Sequence, residues 1–357
     1  MKRRDLLVGF AAGAGFTAGN AYLWQMAENS SERAAARNAS TGEESLTVAG
    51  DIDPPPVESF SDSESVVRAT VAEATEMPQP EDLAQVGRDL APKSPAPTLT
   101  FSPDRAHSDD LVALPGDSHR SRVLEKVRNF NGDFVDDIYL SEREQPVLHS
   151  LYLRFQRAER LVGHGNYNLL GFDELFRYGK RYSEVGDFDS AERALIEKLF
   201  FTEAEKYGFY GEKVTKELTA AIPAKEAVKI PYSGHYLLKG ESTAYYEKLR
   251  KDIGDSVILT SGIRGNVKQM HLFVAKCLES GYNLSKASRS LAPPGHSYHG
   301  IGDFDVGRVG WGYSNFTDRF AETDEFKRMQ DLGYVQIRYT KDNHYGVRFE
   351  PWHIKVV

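Results

Sequence analysis

The sequence predicts an α+β protein, in which a helical segment precedes a segment of short strands and one longer helix. Three observations support this class. Apolar residues recur every three or four positions in residues 116–225, short apolar runs bounded by glycine occur in residues 226–357, and ten of the 16 prolines lie between Pro54 and Pro115. We therefore expect four regions, at residues 1–25, 26–115, 116–225 and 226–357.

Composition and charge exclude several classes of function. The 357-residue chain has 44 Lys and Arg against 52 Asp and Glu, a formal charge of −8, which argues against a nucleic-acid partner because phosphates attract a basic surface. The single cysteine, Cys277, rules out an intramolecular disulfide and a cysteine-based zinc site. Because Cys277 falls on the apolar face of a predicted helix, we interpret it as a buried hydrophobic residue rather than a nucleophile.

The first 25 residues are typical of an export signal. Arg3 and Arg4 precede an apolar or small stretch from Leu6 to Trp24, and this pattern resembles a twin-arginine signal. Nineteen helical residues would reach roughly 28 Å, nearly a bilayer core, so a cleaved signal peptide and a retained membrane anchor both remain open. We expect an exported bacterial protein of the periplasm or cell envelope, either free or anchored to the inner membrane.

Residues 26–115 predict a disordered linker. Proline, serine, alanine and acidic residues dominate there, and such a segment cannot bury enough apolar area to offset the loss of chain entropy. The linker either lets a catalytic domain reach out from the membrane or has no specific role, and composition alone does not separate the two.

The helical region, residues 116–225, contains three predicted helices. Apolar periodicity predicts one from Val147 to Val162 that ends at Gly163. Asp173 is the expected cap of a short helix, and Asp189 with Glu192 has the form of a capping box that opens a helix reaching Gly208. The many aromatic side chains here suit either a carbohydrate-stacking surface or ordinary core packing, and we favour packing.

The strongest chemical pattern lies in residues 292–307, where a glycine-rich turn leads into a predicted strand. His296 and His299 fall in the turn, whereas Asp303 and Asp305 fall on the strand, where alternate residues share one face. Imidazole and carboxylate groups suit zinc. His353, further along, can supply a third protein ligand, which leaves the fourth zinc position open for water, as in catalytic sites.

Two more residues suit a hydrolytic reaction. Glu350, three residues before His353, is placed to accept the proton of that water. Arg264 lies between the predicted strand Ser256–Thr260 and a helix that ends at Gly281, a position that aims a side chain into a cleft. Any one of these residues alone suits an ordinary surface position, but the set together favours a metal site.

Three motifs resemble those of the VanY-type D-alanyl-D-alanine carboxypeptidases, and they occur in that family's order. They are Ser261-Gly-Ile-Arg264 followed by Gln269 and Leu272-Phe273, then Ala292-Pro-Pro-Gly with Ser297-Tyr-His299-x-x-Gly302, and finally Phe349-Glu350-Pro351-Trp352-His353.

The resemblance implies the compact α+β fold shared with the Hedgehog signalling domain, one zinc ion, and hydrolysis of peptidoglycan stem peptides at a terminal D-amino acid. It implies these site residues: zinc ligands His299, Asp305 and His353, catalytic Glu350, and substrate-binding Arg264, Ser297 and Gln269. Endopeptidase activity and L,D specificity stay open. So does a different class of function, a non-catalytic zinc-containing module that binds cell-wall peptides or a protein partner.

The spacing of the motif departs from the family in one place. The family usually has six residues between the first histidine ligand and the aspartate, whereas five separate His299 from Asp305 and six separate His296 from Asp303. The Ser-x-His-x-x-Gly pattern fits only His299, and Asp-Val-Gly fits only Asp305. We therefore favour His299 with Asp305 and a one-residue deletion after Gly302. Asp303 then places a second negative charge near the metal.

Overall fold

A computed structural model of the protein describes residues 116–357, with side chains from Ser118 onward, and all of these residues fall in one compact unit. The predicted export signal and linker lie outside the described residues. Within the described part, α-helices are combined with two small antiparallel sheets, which confirms the predicted α+β class. No helix in residues 116–357 is long and apolar enough to cross a membrane.

The first half of the described chain is helical. Its α-helices are α1 Gly116–Arg128, α2 Gln145–Val162, α3 His164–Tyr167, α4 Phe172–Arg181 and α5 Ser190–Phe201. As predicted, α2 ends at Gly163. The predicted capping box is also confirmed, because the Glu192 backbone N–H donates to the Asp189 carboxylate at 2.8 Å and the reciprocal bond is present.

Two details of the helical prediction are wrong. Asp173 lies inside α4, whose N-cap is Gly171 and has no side-chain cap. The predicted helix from Asp189 to Gly208 is two elements, because α5 stops at Phe201 and a separate 3₁₀ turn, Ala204–Tyr207, ends at Gly208.

The second half contains both sheets. Its elements are β1 Ala227–Lys229, β2 Tyr236–Leu238, α6 Glu241–Ile253, β3 Val257–Ser261, α7 Asn266–Glu279, α8 Leu284–Ser288, β4 Phe304–Arg308, α9 Asp324–Asp331 and β5 His353–Ile354. Strands β1 and β2 form a hairpin, and the other three form an antiparallel sheet in the order β3-β4-β5. The alternating segment 347–356 is interrupted by Pro351, which lacks the N–H that a strand needs, and β5 begins only at His353, after that proline.

Two large hydrophobic cores and one smaller cluster support these elements. In the first, helices α2, α4 and α5 pack against α7 and α8. The helical region and the site-bearing region, residues 226–357, therefore share one core. Cys277 is buried in this core, as predicted. Most aromatic residues of the helical region are either buried in this core or partly buried against it, which agrees with packing, although Phe201 is 58% exposed. The second core lies between the three-stranded sheet and helices α6 and α9.

A partly buried ion network also joins the helical region to α7. Glu159 of α2 accepts a hydrogen bond from Lys268 Nζ of α7 at 2.6 Å, and its carboxylate lies 2.9 Å from His164 Nδ1 and 3.3 Å from His271 Nδ1. Burial alone would raise the pKa of Glu159, but Lys268 and the two histidines outweigh burial and lower it. The carboxylate therefore stays ionised, and α2 is held on α7 by charge as well as by apolar contact.

Arg289 is a second buried charge, and we expect its replacement to cost much of the protein's stability. Its side chain is 2% exposed and makes two hydrogen bonds to the Asp137 carboxylate, at 2.8 and 3.0 Å. Arg289→Met should lower the free energy of unfolding by about 3–5 kcal/mol in urea denaturation, because the buried Asp137 then keeps only a distant cation, Lys126 Nζ at 3.7 Å.

The pair Arg128–Asp342 is a matched control for Arg289. It has the same 2.8 Å separation, but its side chains are 63% and 67% exposed. Arg128→Ala should change the unfolding free energy by less than about 1 kcal/mol. If Arg289→Met unfolds at the same urea concentration as Arg128→Ala, burial does not increase the contribution of the Arg289–Asp137 pair to stability.

Candidate metal centre

Strand pairing brings Asp305 and His353 together. In the register of β4 and β5, Asp305 lies directly opposite His353, and in the register of β3 and β4 it lies opposite Ser261. Directly opposite residues on neighbouring antiparallel strands share a face of the sheet, with Cβ atoms about 5 Å apart. Residues from distant parts of the chain thus become neighbours on one face.

His299 reaches the same face from the turn before β4. It lies in a 3₁₀ turn, Tyr298–Gly300, and its ring Nδ1 is 2.8 Å from the carbonyl oxygen of Gly262. The carbonyl of His299 accepts a hydrogen bond from the Arg264 N–H at 3.3 Å. Position 262 requires glycine, because a side chain there would collide with the carbonyl of Tyr236. The loop after β3 therefore holds His299 in place.

The three predicted ligands form one buried cluster. Asp305 Oδ1 lies 3.3 Å from His299 Nε2 and 3.1 Å from His353 Nδ1. The three ligand atoms all lie within 4.8 Å of one another, and each residue is at most 4% exposed. Ligands bonded to tetrahedral zinc at about 2.0–2.1 Å are about 3.3 Å apart, so the two measured separations are close to a zinc coordination edge.

The hydrogen bonds around the two imidazoles fix which nitrogen faces Asp305. His299 Nδ1 meets a carbonyl and must donate, so in the neutral ring Nε2 carries the lone pair. His353 Nε2 lies 3.0 Å from Asp303 Oδ2 and must also donate. When the His353 ring is neutral, its Nδ1 lone pair therefore faces Asp305. These assignments follow from the partners rather than from observed protons.

A cation would satisfy this arrangement. Asp305 Oδ1 is buried, faces two imidazole nitrogens, and has no hydrogen-bond partner within the described part of the chain. Three electron-rich atoms that face one another repel unless a positive charge lies between them. The donor set therefore fits a metal ion, and Asp303 lies on the opposite side of the His353 ring, at Nε2.

The pKa values of the cluster also favour a cation at this centre. Burial lowers the pKa of His353, but its contacts with Asp303 and Asp305 outweigh burial and raise that pKa to about 9. Burial would raise the pKa of Asp305, but His299 and His353 outweigh it and lower the pKa. Burial lowers the pKa of His299 despite Asp305. The site therefore favours an ionised carboxylate and positive charge at His353 Nδ1.

The alternative pair, His296 with Asp303, does not meet at this centre. His296 Nδ1 lies 3.1 and 3.0 Å from the carbonyl oxygens of Gly211 and Glu212, and burial lowers its pKa to about 4. Asp303 contacts the outer nitrogen of His353. The structure thus brings together His299 and Asp305, the pair that only five residues separate.

Glu350 is buried immediately before β5. Its backbone N–H donates to the Tyr339 carbonyl at 3.0 Å, its carbonyl accepts from the His353 N–H at 3.1 Å, and its carboxylate lies 3.7 Å from Arg348 Nε. Burial raises the pKa of Glu350 to about 7, against the lowering effects of Arg348 and His353. A carboxyl group with a pKa near 7 exchanges protons efficiently near neutral pH.

Arg264 lies against Asp305 on the side of β3. Its Nη2 donates to Ser261 Oγ at 2.9 Å and to Asp305 Oδ2 at 3.3 Å, and its Nη1 donates to Gln269 Oε1 at 3.3 Å. These bonds use three of the five guanidinium N–H groups, and within residues 116–357 no partner is found for the other two. Arg264 can therefore hold Asp305 and still donate to an anion.

The other two residues with a predicted substrate role lie nearby. Gln269 is buried, and its amide donates to the Ala292 carbonyl while its oxygen accepts from Arg264. Gln269 therefore positions Arg264 and the loop that leads to His299. Ser297 is also buried and begins the 3₁₀ turn that carries His299.

Two residues of the centre have no counterpart in the sequence analysis. Arg338 makes an ion pair with Asp303, with Nε 2.6 Å from Oδ2, and the ring of Tyr339 lies 5.0 Å from that of His353. Neither residue belongs to a motif, and a lone arginine or tyrosine in a loop is usually a surface residue. Only the folded chain shows that they surround His353.

Comparison with known proteins identifies a family for the region that carries this centre. Residues 239–357 match the family model described as VanY: D-alanyl-D-alanine carboxypeptidase, which confirms the resemblance inferred from the motifs over this part of the chain. No curated protein sequence matches the chain.

Two solved structures are also similar to the chain. One is a mutant of the vancomycin resistance D,D-pentapeptidase VanY from a VanB-type resistance cassette, in complex with Zn(II). It is 23% identical, with a TM-score of 0.30, and the match covers 41% of this chain and 87% of that chain. The other is VanYB in complex with D-alanine-D-alanine. It is 24% identical, with a TM-score of 0.31, and the match covers 41% of this chain and 86% of that chain.

Proposed function

We propose that the protein is a zinc-dependent peptidase that removes a C-terminal D-amino acid from peptidoglycan stem peptides. The observation that carries the proposal is the convergence of His299, Asp305 and His353 inside the segment that matches the carboxypeptidase family model. A buried glutamate, Glu350, lies three residues before His353 in the chain. The two imidazoles and one carboxylate support the choice of zinc, and the description of the family model, D-alanyl-D-alanine carboxypeptidase, supports the choice of substrate.

The residues of the centre have different roles in the proposed reaction. When bound by His299, Asp305 and His353, zinc would supply Lewis acidity at the scissile carbonyl and lower the pKa of a water molecule. Glu350 accepts a proton from the attacking water and returns it to the leaving amine, a role that suits its raised pKa. Arg264, behind Asp305, binds the terminal carboxylate of the substrate.

Replacing Arg264 by lysine should distinguish a free C-terminus from a blocked one. A planar guanidinium can donate two parallel hydrogen bonds to a carboxylate, whereas an ammonium cannot. Arg264→Lys should lower kcat/KM for a stem peptide with a free terminal carboxylate by roughly 10- to 100-fold, since charged hydrogen bonds contribute about 1.5–3 kcal/mol. The matched control is the same peptide with an amidated C-terminus, which should lose far less.

An equal loss on both peptides would contradict this role of Arg264. Because Arg264 also donates to Asp305, equal losses would mean that it supports the metal ligand or the carbonyl oxygen in the transition state. An endopeptidase, which needs no terminal carboxylate, would then explain the site better.

The proposed reaction is tested by mass spectrometry of muropeptides and of a synthetic stem pentapeptide that ends in D-alanyl-D-alanine. We expect loss of one terminal D-alanine, arrest by a chelator, and recovery when zinc is added back. Cleavage within the peptide would establish an endopeptidase. Peptide binding with no cleavage by the zinc-loaded protein would contradict the proposal. It would support the alternative function, a non-catalytic zinc-containing module that binds cell-wall peptides.

The location of the protein is a further part of the proposal, and it rests on the sequence of residues 1–25. Peptidoglycan lies outside the bacterial cytoplasm, so a peptidase acting on it must be exported. Fractionation of cells that produce the full chain should place it in the envelope. Washing the membrane fraction with salt and then with detergent would distinguish a released protein from an anchored one.

A further inference from the structure

The outer side of His353 carries a second buried carboxylate that belongs to neither the metal ligands nor the proton-transfer machinery. Asp303 is 1% exposed and immediately precedes β4. Its Oδ2 lies 3.0 Å from His353 Nε2, while Asp305 Oδ1 lies 3.1 Å from Nδ1 of the same ring. One imidazole is therefore held between two carboxylates.

The two carboxylates are not equivalent. Asp305 Oδ1 has no hydrogen-bond partner within the described residues, whereas Asp303 is engaged at both oxygens. Arg338 Nε donates to Asp303 Oδ2 at 2.6 Å, and the backbone N–H of Val356 donates to Oδ1 at 2.9 Å. Both oxygens of Asp303 thus accept hydrogen bonds from the protein. Of the two carboxylates, only Asp305 has an oxygen available to a cation.

Arg338 is itself fixed by the chain segment that carries His299. Its guanidinium carbon lies 3.5 Å from the centre of the Tyr298 ring, and Tyr298 is the residue before His299. A second Arg338 nitrogen, Nη2, donates to the backbone carbonyl of Val357. The guanidinium therefore neutralises Asp303 and connects the turn before β4 to the segment after β5.

We propose that Asp303 is a positioning residue for His353, and that Arg338 keeps Asp303 in that role. By accepting the Nε2 proton, Asp303 holds His353 in the tautomer and ring orientation that present Nδ1 to the metal. By pairing with Asp303, Arg338 prevents the second carboxylate from turning toward the cation. This inference rests on the proposed function, because it assumes that His353 binds a metal.

Zinc affinity of purified variants, measured by competition with a chromophoric chelator, tests the proposal without peptide hydrolysis. Asp303→Ala should bind zinc about 10- to 100-fold more weakly, the usual effect of removing the outer partner of a ligand. Asp303→Asn keeps a hydrogen-bond acceptor at this position and should recover most of the affinity. In ¹⁵N-histidine spectra of the zinc-loaded protein, the protected Nε2–H of His353 should be present in wild type and Asp303→Asn and absent from Asp303→Ala.

A second variant separates positioning from folding. Asp303→Ala leaves Arg338 buried without its anion, so Asp303→Ala/Arg338→Met, which removes both charges, should restore the melting temperature of the metal-free protein while zinc affinity stays low. Wild-type zinc affinity in folded Asp303→Ala, or equal weakness of Asp303→Asn and Asp303→Ala, would overturn the inference. Zinc binding by a wild type that cleaves no peptide would defeat the proposed function and leave the positioning role intact.

Discussion

Glu350→Gln is expected to keep zinc bound and to lower kcat by about 10²–10⁴, the usual contribution of a positioned general acid–base group. Glutamine has nearly the same shape but cannot accept a proton from water, so binding should survive while proton transfer fails. The measurements are zinc content by elemental analysis and the rate of release of the terminal D-amino acid. The metal ligands are separate side chains, so this substitution leaves the donor set unchanged.

Glu325→Gln provides a matched control. Glu325 is also a buried glutamate, 7% exposed, but it lies on α9 and pairs with Arg308 at 3.6 Å. This variant should turn over like wild type. A Glu350→Gln protein with wild-type kcat would remove Glu350 from the mechanism. Loss of zinc from that protein would assign Glu350 to metal binding instead.

Replacing His353 by alanine should abolish zinc retention and, with it, turnover. His353 supplies one of only three donor atoms in the cluster and stands directly opposite another, Asp305, across two strands. Zinc needs at least three protein ligands at sites of this type, and two ligands hold it too weakly to survive purification. Elemental analysis after gel filtration should give about one zinc per wild-type chain and close to none in the variant.

His296→Ala is the control for the loss of one buried histidine. His296 lies three residues before His299, but its ring contacts the carbonyl oxygens of Gly211 and Glu212 rather than the cluster. This variant should keep one zinc per chain. Full zinc occupancy in His353→Ala, or loss of zinc in His296→Ala with His353→Ala unaffected, would show that the ligand assignment is wrong.

Local features of the fold were predictable from the sequence. Helices α2 and α7 follow from apolar periodicity and a terminal glycine, and the capping box at Asp189 follows from two residues three positions apart. The cap predicted at Asp173 is wrong because α4 begins one residue earlier, at Phe172, and its N-cap is Gly171. A Cβ at position 171 would lie only 3.0 Å from the Cβ of Ala221, a contact that no local pattern reveals.

The packing of the helical region against the site-bearing region was not predictable. Glu159 and Lys268 look like solvent-exposed charges in the sequence, yet they form a largely buried pair at 2.6 Å that joins α2 to α7. Apolar periodicity shows that a helix has a buried face but not which element covers it. Contacts of this kind depend on how the chain folds back, and no local pattern encodes them.

The chemistry available at the site is predictable from the sequence, because the kinds of side chain, their order along the chain and the family motifs are all local properties. The arrangement of those side chains depends on how the chain folds. Alternation along a strand predicted that Asp303 and Asp305 point the same way, and both do contact His353, but on opposite nitrogens. Asp305 faces His299, whereas Asp303 forms an ion pair with Arg338. The reason is physical: the protonation of an imidazole depends on what meets its other nitrogen, and only the folded chain brings that partner there.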